Sequence, residues 1–478
     1  MQHDAPDGSK PGIKRILSAP IAGKLAVVDP EGRPIAGATL QIGLQVDQPF
    51  TGNVLTTDAL GLTSIPSVWS GDQAITIEAN GFVRATYLAQ GPKAAIFKLR
   101  RAPAPRPLQL QGKTTGFGLL PSNGTLDVSL VYPAIPRSQV AAFELTQLIG
   151  TGTDSIRVYG ETLNLPSSLS IPTQSESYSI LPVSLDKPTY RISVPDAGNY
   201  RFAAVHAQFD FNQTIDDMRA GKSFFDVINR IQFRSLTTRD YAITLPAQSA
   251  DFPLGEKPLR PSVTVVGDGI PAGYAMMAVT LTESDGLCAV TDVKRLLAGE
   301  ARTLMTAFAT GSGPVRDRSL LVRTLKKYDA RRTDFSGFDY EEASSVVVSV
   351  DDTTPVSYLP ILKSIVSRGR ELALPAPSTA GFDSQLTYVT LAKVQSVKTG
   401  DLVLIEKTPL WDFYGDGFLT SLPIPVFARD LWSETGRYRW ELQYAGVRMA
   451  DKASEKIGFD KMANLTHVTK TAIDFTVR

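Results

Sequence analysis

Cysteine is almost missing from this chain. Cys288 is the only one in 478 residues, so no disulfide can close within it. That excludes a disulfide-stapled eukaryotic secreted scaffold but not a bacterial periplasmic or surface protein, where many domains carry few cysteines. Cys288 lies in Gly286-Leu287-Cys288-Ala289-Val290 and reads as a buried structural thiol rather than a nucleophile. Histidine is nearly as scarce. His3, His206 and His467 are too scattered for a metal cluster, and the last two read as ordinary strand residues. No Gly-x-Ser-x-Gly elbow, phosphate loop, dinucleotide fingerprint or His-Glu-x-x-His occurs. No apolar run reaches the roughly 18 residues of a membrane span. The net charge of +1 removes the dense basic face that nucleic acid or an anionic membrane requires. The short basic pairs Lys326-Lys327 and Arg331-Arg332 read as solvated surface.

What is present is short, evenly punctuated alternation. Hydrophobic residues make up 43% and charged residues 20% of the chain, a folded globular balance. Its length suggests about three or four domains. Residues 21–99 carry the clearest pattern. Leu25 and Val27 alternate into the turn Asp29-Pro30-Glu31-Gly32, and Ala38, Leu40 and Ile42 point one way along the next strand. Asp58 and Gly61 mark a second turn, and Ile75, Ile77 and Ala79 alternate into Asn80-Gly81. Ala95, Phe97 and Leu99 close the unit. Period-two patterning between turn residues is the signature of a small β-sandwich.

Three blocks carry a family resemblance: Asp29/Gly32/Pro34/Gly37-Ala38, Thr57-Asp58/Gly61 and Ala79-Asn80-Gly81-Phe82. In this order and spacing, residues 21–99 resemble the carboxypeptidase regulatory-like domain, a transthyretin-like seven-stranded sandwich. The resemblance implies a non-catalytic structural or interaction module appended to secreted peptidases, surface proteins and outer-membrane receptors. It carries over no catalytic residue.

The remainder divides by composition. Residues 1–18 form a polar lead without the apolar stretch of a signal peptide. Either the protein is cytoplasmic, or it is a mature periplasmic or surface form whose signal or lipid anchor has been removed; the second is expected, because the module that residues 21–99 resemble usually works outside the cytoplasm. Residues 19–101 are the first sandwich, and 102–115, with Pro103, Pro105 and Pro107, form a semi-rigid linker. Residues 116–250 are a sandwich with an inserted helix near 214–231, where Phe224, Ile228 and Ile231 share a face and Thr214 and Asp217 suit its start. Residues 256–372 form a β-rich domain with a helix over 291–308, on the stripe Val293, Leu297, Leu304 and Phe308. Residues 382–478 form a C-terminal immunoglobulin-like sandwich. Gly198-Asn-Tyr200-Arg201-Phe202 and Gly436-Arg-Tyr438-Arg439-Trp440 match as equivalent strands, each with a tyrosine placed to pin a sandwich corner. The expected fold is mainly β: tandem transthyretin-like and immunoglobulin-like β-sandwich modules with short inserted helices.

The best local motif is Asp412-Phe413-Tyr414-Gly415-Asp416-Gly417-Phe418. Asp412 and Asp416 hold positions one and five of a calcium loop and Gly417 position six, but Tyr414 at three and Pro423 at twelve depart from it. A glycine-rich turn between strands is the plainer reading, with Ca2+ as the alternative cofactor. Trp411, Phe413, Tyr414 and Phe418 form an aromatic group that, if exposed, would stack on sugar rings or partner side chains; packed inward, it is a minor core. Asp339, Glu341, Glu342 and Asp351-Asp352 are acidic strand ends whose separation decides whether two could work as acid and base. The leading functional reading is a non-enzymatic bacterial cell-surface or periplasmic protein, acting as adhesion, scaffold or partner-binding module toward a protein or a surface glycan. The alternative is a glycan-binding or glycan-processing protein with its site in residues 256–478.

Overall fold

The computed structural model describes residues 17, 19–103, 108–116, 125–142, 153–158, 161–170, 189–194, 197–220, 228–267, 269–300, 303–307, 318–328, 342–351, 356–378, 381–399, 402–427, 431, 434–448 and 465–478. His3, Phe224, Phe308, Arg331, Arg332, Asp339, Glu341 and Asp352 lie outside them, as does the stretch 104–107. The protein is mainly β, with two short α-helices, Arg137–Ala141 and Phe211–Arg219, among the described residues. The chain packs as two compact units. The first comprises Met1–Ala102 with Leu410–Phe413 and Pro423–Leu431; the second comprises Pro103–Pro409, Tyr414–Leu422 and Trp432–Arg478.

The first unit is a seven-stranded sandwich. One sheet has the order Leu62–Ser64, Lys24–Val28, Ala95–Lys98, with the last pair parallel. The other runs Arg84–Gln90, Gln73–Glu78, Thr39–Ile42, Val54–Thr56, antiparallel throughout. Leu25, Val27, Leu40, Ile42, Ile75, Ile77 and Phe97 are buried, as their alternation requires. Leu17, expected in a loose lead, already packs on Ala26 and Val28. The turn residues act as their chemistry predicts. The Asp29 carboxylate accepts the backbone N–H of Glu31 and Arg33, and Asp58 accepts those of Leu60 and Leu62. Gly61 has φ of +70°, and a Cβ there would sit 2.8 Å from the Val27 carbonyl oxygen, so only glycine fits.

The first unit is not self-contained, because a segment more than 300 residues further along supplies part of its interior. The strand Leu402–Asp416 lies beside Arg84–Gln90. Its Trp411 is fully buried, and the indole N–H donates to Thr86 Oγ1 at 2.8 Å, which in turn meets Thr76 Oγ1 at 2.9 Å. The buried Arg84 guanidinium lies 4.8 Å from the Trp411 ring and 4.7 Å from that of Phe427, and reaches Glu78 at 3.2 Å. On the strand's other face, Arg100 clasps Asp412 through two bonds of 3.0 and 2.7 Å.

The second unit is layered. Leu108–Thr115, within the expected linker, is instead a strand. It pairs with Thr189–Val194, Ala247–Ser249 and Phe252–Pro253. This small sheet faces a five-stranded one, ordered Leu169–Ser170, Thr125–Pro133, Gly198–Asp210, Gln232–Ile243, Lys257–Pro258, across a core that includes Leu110, Tyr190, Phe202, Ile243 and Phe252. The other face of the five-stranded sheet, through Tyr132, Ala203, Val205 and Leu236, shares a core with Val279, Leu281, Val290, Val322 and Val468. Those residues belong to a long antiparallel array: Ile135–Pro136, Leu287–Leu296, Tyr274–Ser284, Arg318–Lys327, Ala343–Ser349, His467–Val477, Gly436–Val447, Ser384–Thr399. The two-stranded antiparallel sheet of Arg260–Val265 and Thr303–Ala307 covers its far side. The array draws strands from both 256–372 and 382–478, with Val346 opposite His467, so the boundary expected near 372–382 does not separate two sheets.

One expected helix is replaced by strands. The described residues of 291–308 are the end of strand Leu287–Leu296, a turn with Gly299 at φ of +79°, and strand Thr303–Ala307. Leu287–Leu296 is buried on both faces, so its apolar run is nearly continuous and a helical stripe can be read into it. In the other expected stretch the described residues show a helix Phe211–Arg219, capped by Asp210, whose carboxylate accepts the Gln213 N–H at 2.9 Å; residues 221–227 lie outside the described residues. Thr214 lies inside it, and Asp217 is buried and bound to Arg230.

Trp411→Ala should cost about 3–5 kcal/mol in chemical denaturation and should release amide-exchange protection in Gln73–Glu78 and Arg84–Gln90 first. Unchanged protection there would contradict the completing role of residues 410–413.

Candidate functional site

Residues 411–416 of the aromatic and acidic motif end the strand Leu402–Asp416, where alternation disperses the side chains, and Gly417, at φ of +79°, and Phe418 lie in the turn between it and Ser421–Pro423. Trp411 and Phe413 share a face, stack at 4.8 Å and are fully buried in the first unit. Tyr414 stacks on Tyr388 at 5.2 Å in the second unit. Phe418 packs edge-on against Phe382 and Tyr444, whose hydroxyl donates to the Leu419 carbonyl. These four residues are interior packing, and no flat aromatic platform forms from them. The calcium reading fails for the same reason. Asp412 and Asp416 are four strand positions, about 13 Å, apart; both Asp412 oxygens are bound by Arg100, while Asp416 is exposed. Among the described residues, no group of three or more His, Cys, Asp or Glu side chains is placed to hold a metal ion.

Other chemically capable side chains serve the fold. Cys288 is buried, and desolvation together with the neighbouring Glu283 charge, against the opposing Arg137, pushes its thiol up to about 12. Glu283 is itself bound by Arg137. Glu342 accepts the Tyr274 hydroxyl at 3.0 Å. His467 stands edge-on to Phe382 at 5.0 Å with Thr466 Oγ1 2.8 Å from its Nδ1. Burial and then the Arg448 charge lower its imidazole to about 4, against a bond with the Ser357 backbone.

The repeated Gly-x-Tyr-Arg motif is structural too, and deeper than its five residues. Gly198–Asp210 and Gly436–Val447 each pair antiparallel with a later strand, placing Arg201 opposite Asp240 and Arg439 opposite Asp474. Each arginine clasps its aspartate through two bonds. Arg201 holds the Asp240 carboxyl below its ordinary range. Burial pushes Asp474 up, but Arg439 and Arg437 outweigh it and leave that carboxyl lowered as well. Tyr438 donates to the Glu434 carbonyl at 2.9 Å, the expected corner bond. The matching signal at the second strand, Asp240-Tyr241-x-Ile243 and Asp474-Phe475-x-Val477, was readable and strengthens the repeat.

The best-built exposed feature lies in the first unit, on the loop between Thr39–Ile42 and Val54–Thr56. Asn53 is fully buried, and its amide nitrogen is shared by the carbonyls of Ile42, Gln45 and Gln48 at 2.5, 2.7 and 2.7 Å. Its side-chain oxygen accepts the Asp47 N–H, and Asp47 accepts that of Gly52. Gly43, at φ of +97°, lets Gln48 close in: a Cβ would meet the Gln48 oxygen at 2.2 Å. This fixed backbone presents Leu44 and Val46, with Val46 52% exposed. Exposed Val426 joins them, its N–H donating to the Leu44 carbonyl and its own carbonyl accepting from Gln41. Val54, also exposed, heads the adjoining strand, which is the last in its sheet. Turn residues Gly43, Asp47, Pro49, Gly52 and Asn53 were the available signal; only tertiary structure shows which apolar residues they leave outside.

His467 makes stability fall with acidification in a defined window. The unfolded imidazole takes up a proton near pH 6.5 and the folded one only near 4, so stability declines between those values and levels off below. Lowered carboxyls such as Asp240 and Asp474 add their loss only beneath about pH 3.8. His467→Gln should flatten the slope between pH 6.5 and 4 in denaturant melts; an unaltered slope would refute this. Cys288 should resist alkylation in the native protein at pH 8 and react at once in denaturant; rapid native labelling would mark it as accessible.

Compared with protein-family models and with curated proteins, the chain matches none, so its functional reading rests on its own residues and geometry.

Proposed function

We propose that this is a non-enzymatic, multi-unit β protein of a bacterial periplasm or cell surface that works by binding or scaffolding a partner protein. The observation that carries the reading is the Asn53-locked loop, which holds Leu44, Val46 and Val426 toward solvent on a rigid sandwich. Apolar side chains cost least to bury in a partner when the backbone beneath them is already ordered. The surrounding sequence, Gln41 to Asn53, contains no lysine or arginine, which favours a protein surface over nucleic acid or anionic lipid. Commitment of Asp412, Glu283, Cys288 and His467 to internal contacts supports a role outside catalysis. The seven strands of the first unit fit the interaction module that residues 21–99 resemble.

The test is cross-linking mass spectrometry of the full chain on an envelope fraction of the producing cell, wild type against Leu44→Ser/Val46→Ser. Cross-links concentrated at residues 44–54 and reduced at least tenfold in the variant are expected, with the melting temperature unchanged because both side chains are exposed. Equal capture by both proteins would remove the loop from the reading. Turnover of a substrate abolished by one carboxylate replacement would remove the non-enzymatic reading itself.

A further inference from the structure

The strand Val54–Thr56 ends its sheet, and the register of its paired side shows what its free side presents. Thr39, Leu40 and Gln41 stand opposite Thr56, Leu55 and Val54. The ladder continues past both ends. The Ile42 N–H donates to the Asn53 carbonyl at 3.0 Å, and the Thr57 N–H donates to the Ala38 carbonyl at 3.0 Å. In an antiparallel pair, hydrogen-bonded and non-bonded positions alternate. Residues 53, 55 and 57 therefore bond inward, and Val54 and Thr56 turn both N–H and C=O toward the open edge. Among the described residues no further strand pairs there.

This edge is ordered and unguarded. Asn53 fixes its start through three carbonyls. At its other end the buried Thr57 hydroxyl accepts the Ala38 N–H at 2.9 Å and donates to the Ile35 carbonyl at 2.8 Å. Edges are commonly blunted by lysine, proline or a bulge. The strand is short, yet residues 53–57 contain no lysine or proline, and their register is unbroken. Leu55 shares the inner face with buried Leu40, so Val54 and Thr56 point outward, where both are exposed. Gln41, opposite Val54, donates to the Val426 carbonyl at 3.0 Å, and the Val426 N–H donates to the Leu44 carbonyl at 2.7 Å. Exposed Val54, Val426 and Leu44 are thus gathered at the edge.

Its charge has one sign. From Pro34 to Val83 the sequence carries Asp47, Asp58, Asp72 and Glu78 and no lysine or arginine. Exposed Asp47 and Asp58 stand at the two ends of the strand. Asp47 accepts the Gly52 N–H, and Asp58, next to Thr57, accepts those of Leu60 and Leu62.

We propose that Val54–Thr56 takes up an extended segment of a partner protein as an added strand, and that this segment alternates apolar residues between flanking lysines or arginines. The outward groups of Val54 and Thr56 supply main-chain bonds, and the exposed apolar side chains select alternate residues. Asp47 and Asp58 select the basic ends. A second copy of this chain would set like carboxylates against one another, which favours a different partner. The inference rests on the Leu44 loop as a partner-binding surface and adds the mode of binding and the partner's chemistry.

The probe is the peptide acetyl-Lys-Val-Thr-Val-Thr-Val-Lys-amide, added to the full chain and followed by fluorescence anisotropy and amide exchange. Saturable binding with slowed exchange at Val54 and Thr56 is expected. Thr56→Pro removes an N–H that the ladder does not use and should weaken binding about tenfold. Glutamate in place of both peptide lysines should weaken it as much. Should Thr56→Pro fail to fold, N-methylated peptides decide with the protein intact. Methylating either the valine or the threonine amides should abolish binding, and methylating the other set should not, because only one set faces the edge. No binding, binding indifferent to methylation, or self-association of the chain without peptide uptake would overturn the proposal. Binding lost in Leu44→Ser/Val46→Ser but kept in folded Thr56→Pro would overturn strand addition and leave the loop reading standing. Loss in Thr56→Pro alone would uphold strand addition and remove the loop.

Discussion

The contact on which the first unit depends is the buried Arg84 guanidinium held between the rings of Trp411 and Phe427. A cation inside a sandwich is tolerable only when aromatic faces and a carboxylate compensate its lost hydration. Glu78 lies on the adjacent strand, but the aromatic faces come from residues far along the chain. Arg100 and Asp412 repeat the logic on the other side of the same strand. The N-terminal hundred residues thus carry two arginines, Arg84 and Arg100, whose aromatic cover or carboxylate partner comes from far along the chain. That ties the stability of the module to a segment it cannot recruit until the rest of the chain exists.

The second unit solves a different problem, how to cover both faces of long sheets. The five-stranded sheet is packed on one face by Leu110, Tyr190 and Phe252, and on the other by residues of the long array. The two-stranded sheet holding Val263, Val265 and Met305 closes the array's far face. Sheets covered on both sides lose the alternation that marks a half-exposed strand. Polar side chains inside such layers must find partners within them. Arg439 does so across a strand pair with Asp474; Thr280, Thr291 and Thr306 do so by hydroxyl bonds.

The interior rules lapse at the loop of Leu44 and Val46, where ordered backbone exposes apolar side chains. That place does not coincide with the aromatic motif at 411–418, whose conspicuous composition reflects packing demands along its strand.

Local chemistry was legible wherever the deciding partner lies within a few residues. Asp29 with Gly32, and Asp58 with Gly61, dictate their turns because an aspartate oxygen and a positive φ act over two to four positions. Tyr438 finds its corner carbonyl four residues upstream, and the period-two runs of residues 24–99 become strands. The sequence by itself thus determined the β class, the turns and the buried thiol. Tertiary structure alone decided the strand at 287–296 over a helix, the inward fate of Trp411 and Phe413, and the clasp of Asp412 by Arg100. Each of these depends on which distant surface covers a residue. Periodicity fixes the direction a side chain takes from its own backbone, whereas the partner it meets there is set by sheets closing from hundreds of residues away.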